Sequence, residues 1–161
     1  MNCFLTGGTG FIGRHLAREL LKRGHNVRIL ARRKNALGKL ADLITDVHYG
    51  DITDKASIRN ALNAIEVIFH CAGLLGHQFG ISKSQYYNIN VLGTKNLVEL
   101  SCQENIKKFI FCSSAGVIGP TGSLMANERW PYNPTNAYEW SKMKAEKIVQ
   151  KSGLNYVILR P

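Results

Sequence analysis

Short apolar runs and longer stretches of helical spacing alternate along the whole chain. Runs at 2–6, 27–31, 46–49, 67–71, 108–113 and 155–160 have strand length, and segments at 11–23, 34–43, 55–64, 84–104 and 136–152 between them have helical periodicity. Several runs are apolar without alternation, as in Val67-Ile68-Phe69 and Phe109-Ile110-Phe111-Cys112. A strand apolar on both sides must be covered on both faces, which predicts a parallel sheet joined by crossover helices. The expected fold class is therefore α/β, a doubly wound sheet of about six strands in the order 3-2-1-4-5-6. Residues 119–135, with Pro120, Gly122, Pro131 and Pro134, read as the one long loop, placed after the fifth strand at the edge where ligands bind. No repeat or low-complexity tract interrupts the pattern, and residues 1–161 read as one domain.

The first strand runs directly into Thr6-Gly7-Gly8-Thr9-Gly10-Phe11-Ile12-Gly13. Gly8, Gly10 and Gly13 fit G-x-G-x-x-G, and Gly7, Gly10 and Gly13 give the wider G-x-x-G-x-x-G spacing. Glycine permits the tight turn, removes the Cβ where a pyrophosphate must touch backbone, and lets the helix lie close to its strand. Ile12, Leu16 and Leu20 then continue at helical spacing up to Gly24, a helix stop. A helix starting at this turn offers free N–H groups and the positive end of its dipole to phosphates, so the segment points to a dinucleotide.

Composition narrows the class further. The 161 residues are 45% apolar, enough for a core without covalent staples. Cys3, Cys71, Cys102 and Cys112 show no metal-ligand spacing, so no metal site is expected. They read as small buried apolar residues of a reducing, cytoplasmic compartment. No apolar stretch approaches a membrane span, and no signal segment opens the chain. The formal charge of +10 is concentrated between 14 and 34, where Arg14, Arg18, Lys22, Arg23, Arg28, Arg32, Arg33 and Lys34 face the single acid Glu19. Beside a phosphate-binding turn this reads as a cofactor field rather than a nucleic-acid surface, since no nucleic-acid module is present.

Tyr138 and Lys142 lie one turn apart on a predicted helix. A phenol titrates near pH 10, too high for proton transfer at neutrality, and a neighbouring ammonium favours its ionised form. Ser113 and Ser114 close the fifth strand, where a hydroxyl faces the ligand crevice or merely caps the next turn. His15, His25, His48 and His77 have no partner spacing and read as surface or core residues.

The glycine turn, Gly50-Asp51-Ile52-Thr53-Asp54, His70-Cys71-Ala72-Gly73, Asn90-Val91-Leu92-Gly93-Thr94, the Ser113-Ser114 strand end, Tyr138-Glu139-Trp140-Ser141-Lys142 and Leu159-Arg160-Pro161 stand in one order and spacing. In these the chain resembles the extended short-chain dehydrogenase/reductases, which include nucleotide-sugar epimerases and dehydratases, dihydroflavonol reductase and 3β-hydroxysteroid dehydrogenase. The resemblance implies a Rossmann fold and a hydride passing between a nicotinamide and a hydroxyl-bearing carbon of a small molecule, a sugar nucleotide or another hydroxyl or carbonyl compound. It makes Tyr138 the acid/base, with Lys142 binding the nicotinamide ribose and lowering the tyrosine's pKa. Ser114 would polarise the substrate oxygen and Asn90 would support the site. Gly7, Gly10, Phe11, Ile12 and Gly13 would receive the pyrophosphate, Asp51 and Ile52 would border the adenine, and Ala72 and Gly73 would pass the ribose and phosphates. His70 would pack beside the nucleotide.

Strand two ends in Ala31 where NAD-specific members carry an acid, and Arg32, Arg33 and Lys34 follow, so NADP is expected over NAD. The helices at 84–104 and 136–152 resemble those of a homodimer interface. The family continues beyond the last strand into a substrate domain, so the chain reads as a truncated cofactor-binding half. Its alternative function is a dinucleotide-binding module without turnover, as a fragment or a redox sensor.

Overall fold

The computed structural model of the chain describes residues 1–76 and 80–161; His77 lies outside the described residues. Six strands, β1 (Asn2–Thr6), β2 (Asn26–Ala31), β3 (Val47–Tyr49), β4 (Val67–His70), β5 (Lys108–Cys112) and β6 (Tyr156–Leu159), form one sheet in the order β3-β2-β1-β4-β5-β6. Every neighbouring pair is parallel, as the unbroken apolar runs require. Because strand side chains alternate between faces, β1 splits its residues: Phe4 packs with Ile68, Phe109 and Phe111 on one face, and Cys3 and Leu5 pack with Val27 and Ile29 on the other.

The helices are α1 (Phe11–Lys22), α2 (Lys55–Ile58), α3 (Lys83–Tyr86), α4 (Gly93–Ser101) and α5 (Ala137–Gln150). The Phe4 face receives Ile58, Leu97, Val98, Ala145 and Val149 from α2, α4 and α5. The Leu5 face receives Ala17 and Leu20 from α1, with Leu37, Leu40 and Ile44.

Three helix expectations change in detail. The segment at 34–43 forms two single turns of 3₁₀ helix, Lys34–Ala36 and Gly38–Leu40. Gly38 has φ of +50°, outside the helical region, and separates the second turn from the first. The segment at 55–64 starts as α2, capped by the Asp54 carboxylate on the Ala56 and Ser57 N–H groups, and tightens to 3₁₀ helix over Arg59–Leu62. The segment at 84–104 is divided: α3, a π-helical turn over Tyr87–Leu92, then α4. Such π turns recur at functional sites, and this one contains Asn90.

The last strand is held to the body by a buried carboxylate. Glu146 of α5 is fully buried and accepts from Arg160 Nε at 3.0 Å, Arg160 Nη2 at 2.7 Å and the Tyr132 hydroxyl at 2.7 Å. One side chain thereby ties the 119–135 loop to the end of β6. β6 leaves Tyr156, Val157 and Leu159 exposed.

Candidate active site

The glycine turn takes the shape its sequence requires. Gly7 has φ of +70°, and a Cβ there would stand 2.6 Å from the Ala72 nitrogen. A Cβ on Gly13 would overlap the Gly7 carbonyl, so α1 can approach β1 this closely only without a side chain. Gly10 donates to the Gly7 carbonyl at 2.9 Å and caps α1 without a side-chain acceptor. The first N–H groups of α1 are therefore uncommitted to a cap, and Phe11 and Ile12 beside them are exposed. A cradle that a Cβ would fill, with backbone donors at a helix N-terminus, fits a pyrophosphate.

Beyond the turn, Ala31 is buried at the end of β2, and Arg32, Arg33 and Lys34 are exposed. None of the ion pairs among the described residues takes these three. Asp51 is half-buried, and its carboxylate accepts from the Thr53 N–H and hydroxyl at 2.9 and 2.8 Å. The Ile52 side chain belongs to the core, where it fills the space a Cβ on Gly93 would need. Ile52 can border a nucleotide only through its backbone.

On the other side of β1, the segment after β4 brings the remaining residues together. Asn90 is buried; its Oδ1 accepts from the Leu74 N–H at 2.8 Å, and its Nδ2 donates to Ser141 Oγ at 2.9 Å and to the Leu74 carbonyl at 3.3 Å. Ser141 in turn donates to the Tyr138 carbonyl at 2.6 Å. A Cβ on Gly73 would stand 3.0 Å from Asn90 Oδ1 and 3.9 Å from Lys142 Nζ, and one on Gly76 would stand 2.7 Å from the Tyr138 ring. The backbone of this loop lies directly against Asn90, Lys142 and Tyr138.

Lys142 is buried. Its ammonium donates to the Cys112 carbonyl at 2.5 Å and lies 4.4 Å from the centre of the Phe111 ring. Burial lowers its pKa to about 8, opposed by Cys112, Cys71 and Glu146. Tyr138 is half-buried, and burial raises its pKa against the opposing influence of the Ser114 hydroxyl. The Lys142 ammonium is committed here to a strand-end carbonyl, and desolvation of the phenol prevails. Ser114 caps the 3₁₀ turn Ala115–Ile118, its Oγ accepting from the Gly116 N–H at 3.2 Å. Ser113 Oγ is buried without a hydrogen-bond partner among the described residues, so the two serines of the motif have different surroundings.

His70 is fully buried and joins the two halves of the site. Thr94 Oγ1 donates to the Asn90 carbonyl at 2.6 Å, so at 2.9 Å it must accept from His70 Nε2. Nδ1 is then the acceptor for Thr6 Oγ1 at 2.7 Å, and Thr6 Oγ1 accepts from the Ala72 N–H at 3.2 Å. One directional chain runs from the glycine turn to the π turn. The sequence marks His70 by its place in a motif but gives no sign of Thr6 and Thr94, which lie far from it along the chain.

The other histidines among the described residues are ordinary. His15 is exposed, His25 is half-buried, and half-buried His48 contacts the Ser57 carbonyl at 2.7 Å. The cysteines depart from expectation: Cys3 is buried, Cys102 is exposed, and Cys71 and Cys112 are half-buried. No group of metal-ligating side chains gathers among the described residues, and no helix there is long and apolar enough to cross a membrane.

Residues 3–161 match the family described as NAD dependent epimerase/dehydratase. The chain is 32% identical over all of its length to sterol demethylase protein B of Methylococcus capsulatus, covering 51% of that protein. Over 90% of its length it is 35% identical to 3-beta-hydroxysteroid dehydrogenase of Mycolicibacterium neoaurum, covering 41% of that protein. The crystal structure of Thermus thermophilus UDP-glucose 4-epimerase in complex with NAD superposes on 99% of the chain with a TM-score of 0.86 and 29% identity, the chain covering 54% of that structure. The chain thus spans about half the length of the relatives it matches. On the match over residues 3–161, the chain belongs to the NAD dependent epimerase/dehydratase family.

Proposed function

We propose that this chain is the dinucleotide-binding and proton-transfer portion of an NADP-dependent oxidoreductase or nucleotide-sugar epimerase/dehydratase. The observation that carries this is the loop after β4, which begins against Gly7 and then packs its backbone on Asn90, Lys142 and Tyr138. The nucleotide cradle and the phenol are thereby parts of one crevice.

When bound, the nicotinamide supplies the hydride acceptor or donor. Gly7, Gly10 and Gly13, with the N–H groups of Phe11 and Ile12, hold the pyrophosphate; Ala72 and Gly73 border the ribose and phosphates, and Asp51 and the Ile52 backbone border the adenine. Tyr138 gives a proton to the substrate oxygen or takes one from it. Its raised pKa keeps the phenol protonated at neutrality, the state a general acid needs. Ser114 donates a hydrogen bond to the same oxygen. Lys142 leaves its carbonyl partner to hold the ribose, and its charge then favours the phenolate. Asn90 positions the loop over both. Substrates of the same chemical kind as those of the relatives, hydroxyl-bearing sterols and sugar nucleotides, are the class to test.

For the cofactor, Ala31 offers no acid to compete with a 2′-phosphate, and Arg32 and Arg33 are free to pair with one. Arg32→Ala is expected to weaken NADPH binding by roughly tenfold or more, the scale of one charge-assisted contact, and to leave NADH binding nearly unchanged. Fluorescence titration with both nucleotides checks this; equal losses, or tighter binding of NADH by the parent, would assign the site to NAD.

The π turn and α5 expose Tyr87 and Trp140, their rings 6.3 Å apart, along a groove of about 620 Å³ lined also by Lys83 and Pro134. We infer a homodimer through this face. Sedimentation equilibrium is expected to give twice the chain mass, reduced to the monomer by Trp140→Glu; a monomeric parent overturns the inference.

A further inference from the structure

We propose that Cys71 and Cys112 form a dithiol site at the edge of the crevice, which a hydroperoxide closes to a disulfide between the ends of β4 and β5. The two residues are brought together by strand register. His70 pairs with Phe111 in the parallel ladder, so Cys71 follows directly opposite Cys112. The Cys71 N–H still donates to the Thr6 carbonyl at 3.2 Å, and the Ser113 N–H to the Leu159 carbonyl at 2.7 Å, so both strands keep their course at this level. Adjacent strands lie about 4.8 Å apart, within the roughly 4.4–6.8 Å between Cα atoms that a disulfide spans.

The side chains also share a face. Cys71 packs with Phe69 and Ile110 on the side of the sheet covered by α1, and Cys112 stands two residues beyond Ile110. Both thiols are half-buried, whereas Cys3 is sealed in the core and Cys102 lies on the surface beyond α4. The two thiols act on one another, the pKa of Cys112 lying low and that of Cys71 high, and the Lys142 ammonium favours both thiolates.

The Lys142 ammonium, held on the Cys112 carbonyl, makes Cys112 the attacking sulfur. The Cys112 thiolate attacks the terminal oxygen of the hydroperoxide, the O–O bond breaks, and the leaving oxygen takes a proton to become an alcohol, or water for hydrogen peroxide. Cys112 is now a sulfenic acid. The Cys71 sulfur attacks it, loses its own proton, and expels hydroxide, which leaves as water. Two thiols and one hydroperoxide have become one disulfide, one alcohol and one water. The bond joins the strand that leads into Ala72 and Gly73 to the strand that holds the Lys142 ammonium and leads into Ser114.

The reduced protein treated with hydrogen peroxide tests this by peptide mapping without reductant. Expected is one linked peptide pair containing Cys71 and Cys112, reopened by dithiothreitol, with Cys3 and Cys102 still open to alkylation after unfolding. Cys71→Ser should leave a sulfenic acid on Cys112 that dimedone traps. Cys112→Ser should slow oxidation of Cys71 by about tenfold or more, since only the thiolate reacts. A disulfide to Cys3 or Cys102, or loss of the Cys71 and Cys112 thiols independently and at the rates of the single variants, overturns the proposal. The map of the parent protein decides the question even if a variant does not fold.

Discussion

Tyr138→Phe is expected to lower turnover by about 10²–10⁴-fold, the range a positioned general acid or base contributes, with binding of the nicotinamide cofactor unchanged. The ring packs against the backbone of Gly76, which leaves no room for a Cβ there, and its centroid lies 6.0 Å from that of Tyr86. The phenylalanine keeps those contacts and removes only the hydroxyl that interacts with Ser114. Turnover of a panel of sugar nucleotides and hydroxysteroids by the parent and the variant, beside fluorescence titration of the cofactor, separates the outcomes. A variant that binds cofactor and keeps its rate would remove Tyr138 from the chemistry; a variant that loses cofactor binding would make it a packing residue.

The legibility of this chain was uneven for physical reasons. Strand order was readable because apolar runs such as Val67-Ile68-Phe69 must be buried on both faces, and parallel strands joined by right-handed crossovers leave few topologies. The glycine turn was readable because Gly7 and Gly13 answer backbone geometry, which is local. Helix continuity was less so. Gly38 leaves the helical region, and the π turn around Asn90 depends on the Leu74 backbone and Ser141 as partners, neither adjacent to it in sequence.

At two site residues the environment adds what the neighbour alone does not show. Ile52 stands beside a motif aspartate, yet its side chain is spent in the core against Gly93. Lys142 sits one turn from Tyr138, as spacing requires, but its ammonium finds the Cys112 carbonyl, and burial governs the phenol. Spacing along a helix gives proximity; it does not say which of several acceptors a four-carbon side chain will choose. The glutamate that anchors the final strand was missed for a related reason: Glu146 has the sequence signature of a solvated helix residue, and only the return of Arg160 and Tyr132 explains its burial.

His70 carries the second large expectation, a loss of stability in acid that a single ring controls. Burial lowers its pKa from 6.5 to about 3, with the Lys142 charge acting in the same direction. The neutral ring is fixed by its partners: Nδ1 accepts from Thr6, and Nε2 donates to Thr94. A proton on Nδ1 would break the first of these bonds inside a core with no counter-charge at hand. Above pH 6.5 the ring is neutral in both folded and unfolded chains and exerts no pH effect. As the pH falls below 6.5 the unfolded chain takes up a proton that the folded protein refuses until about pH 3, so stability is lost through this window. At about 1.4 kcal/mol per pKa unit, the loss reaches roughly 2–3 kcal/mol near pH 4.5 and about 4–5 kcal/mol near pH 3. Carboxylates held by ion pairs, Glu66 with Lys107 and Glu99 with Lys55, add to acid unfolding in any variant. The informative quantity is therefore the difference in slope. Urea unfolding of the parent and of His70→Gln between about pH 7 and pH 4.5 should show a variant that starts less stable, because the chain from Thr6 to Thr94 is imperfectly replaced, but that loses about 2 kcal/mol less on acidification. Parallel slopes would mean that the ring takes its proton in the folded state, through an opening of the strand ends that also admits water to the Ala72 and Asn90 backbone.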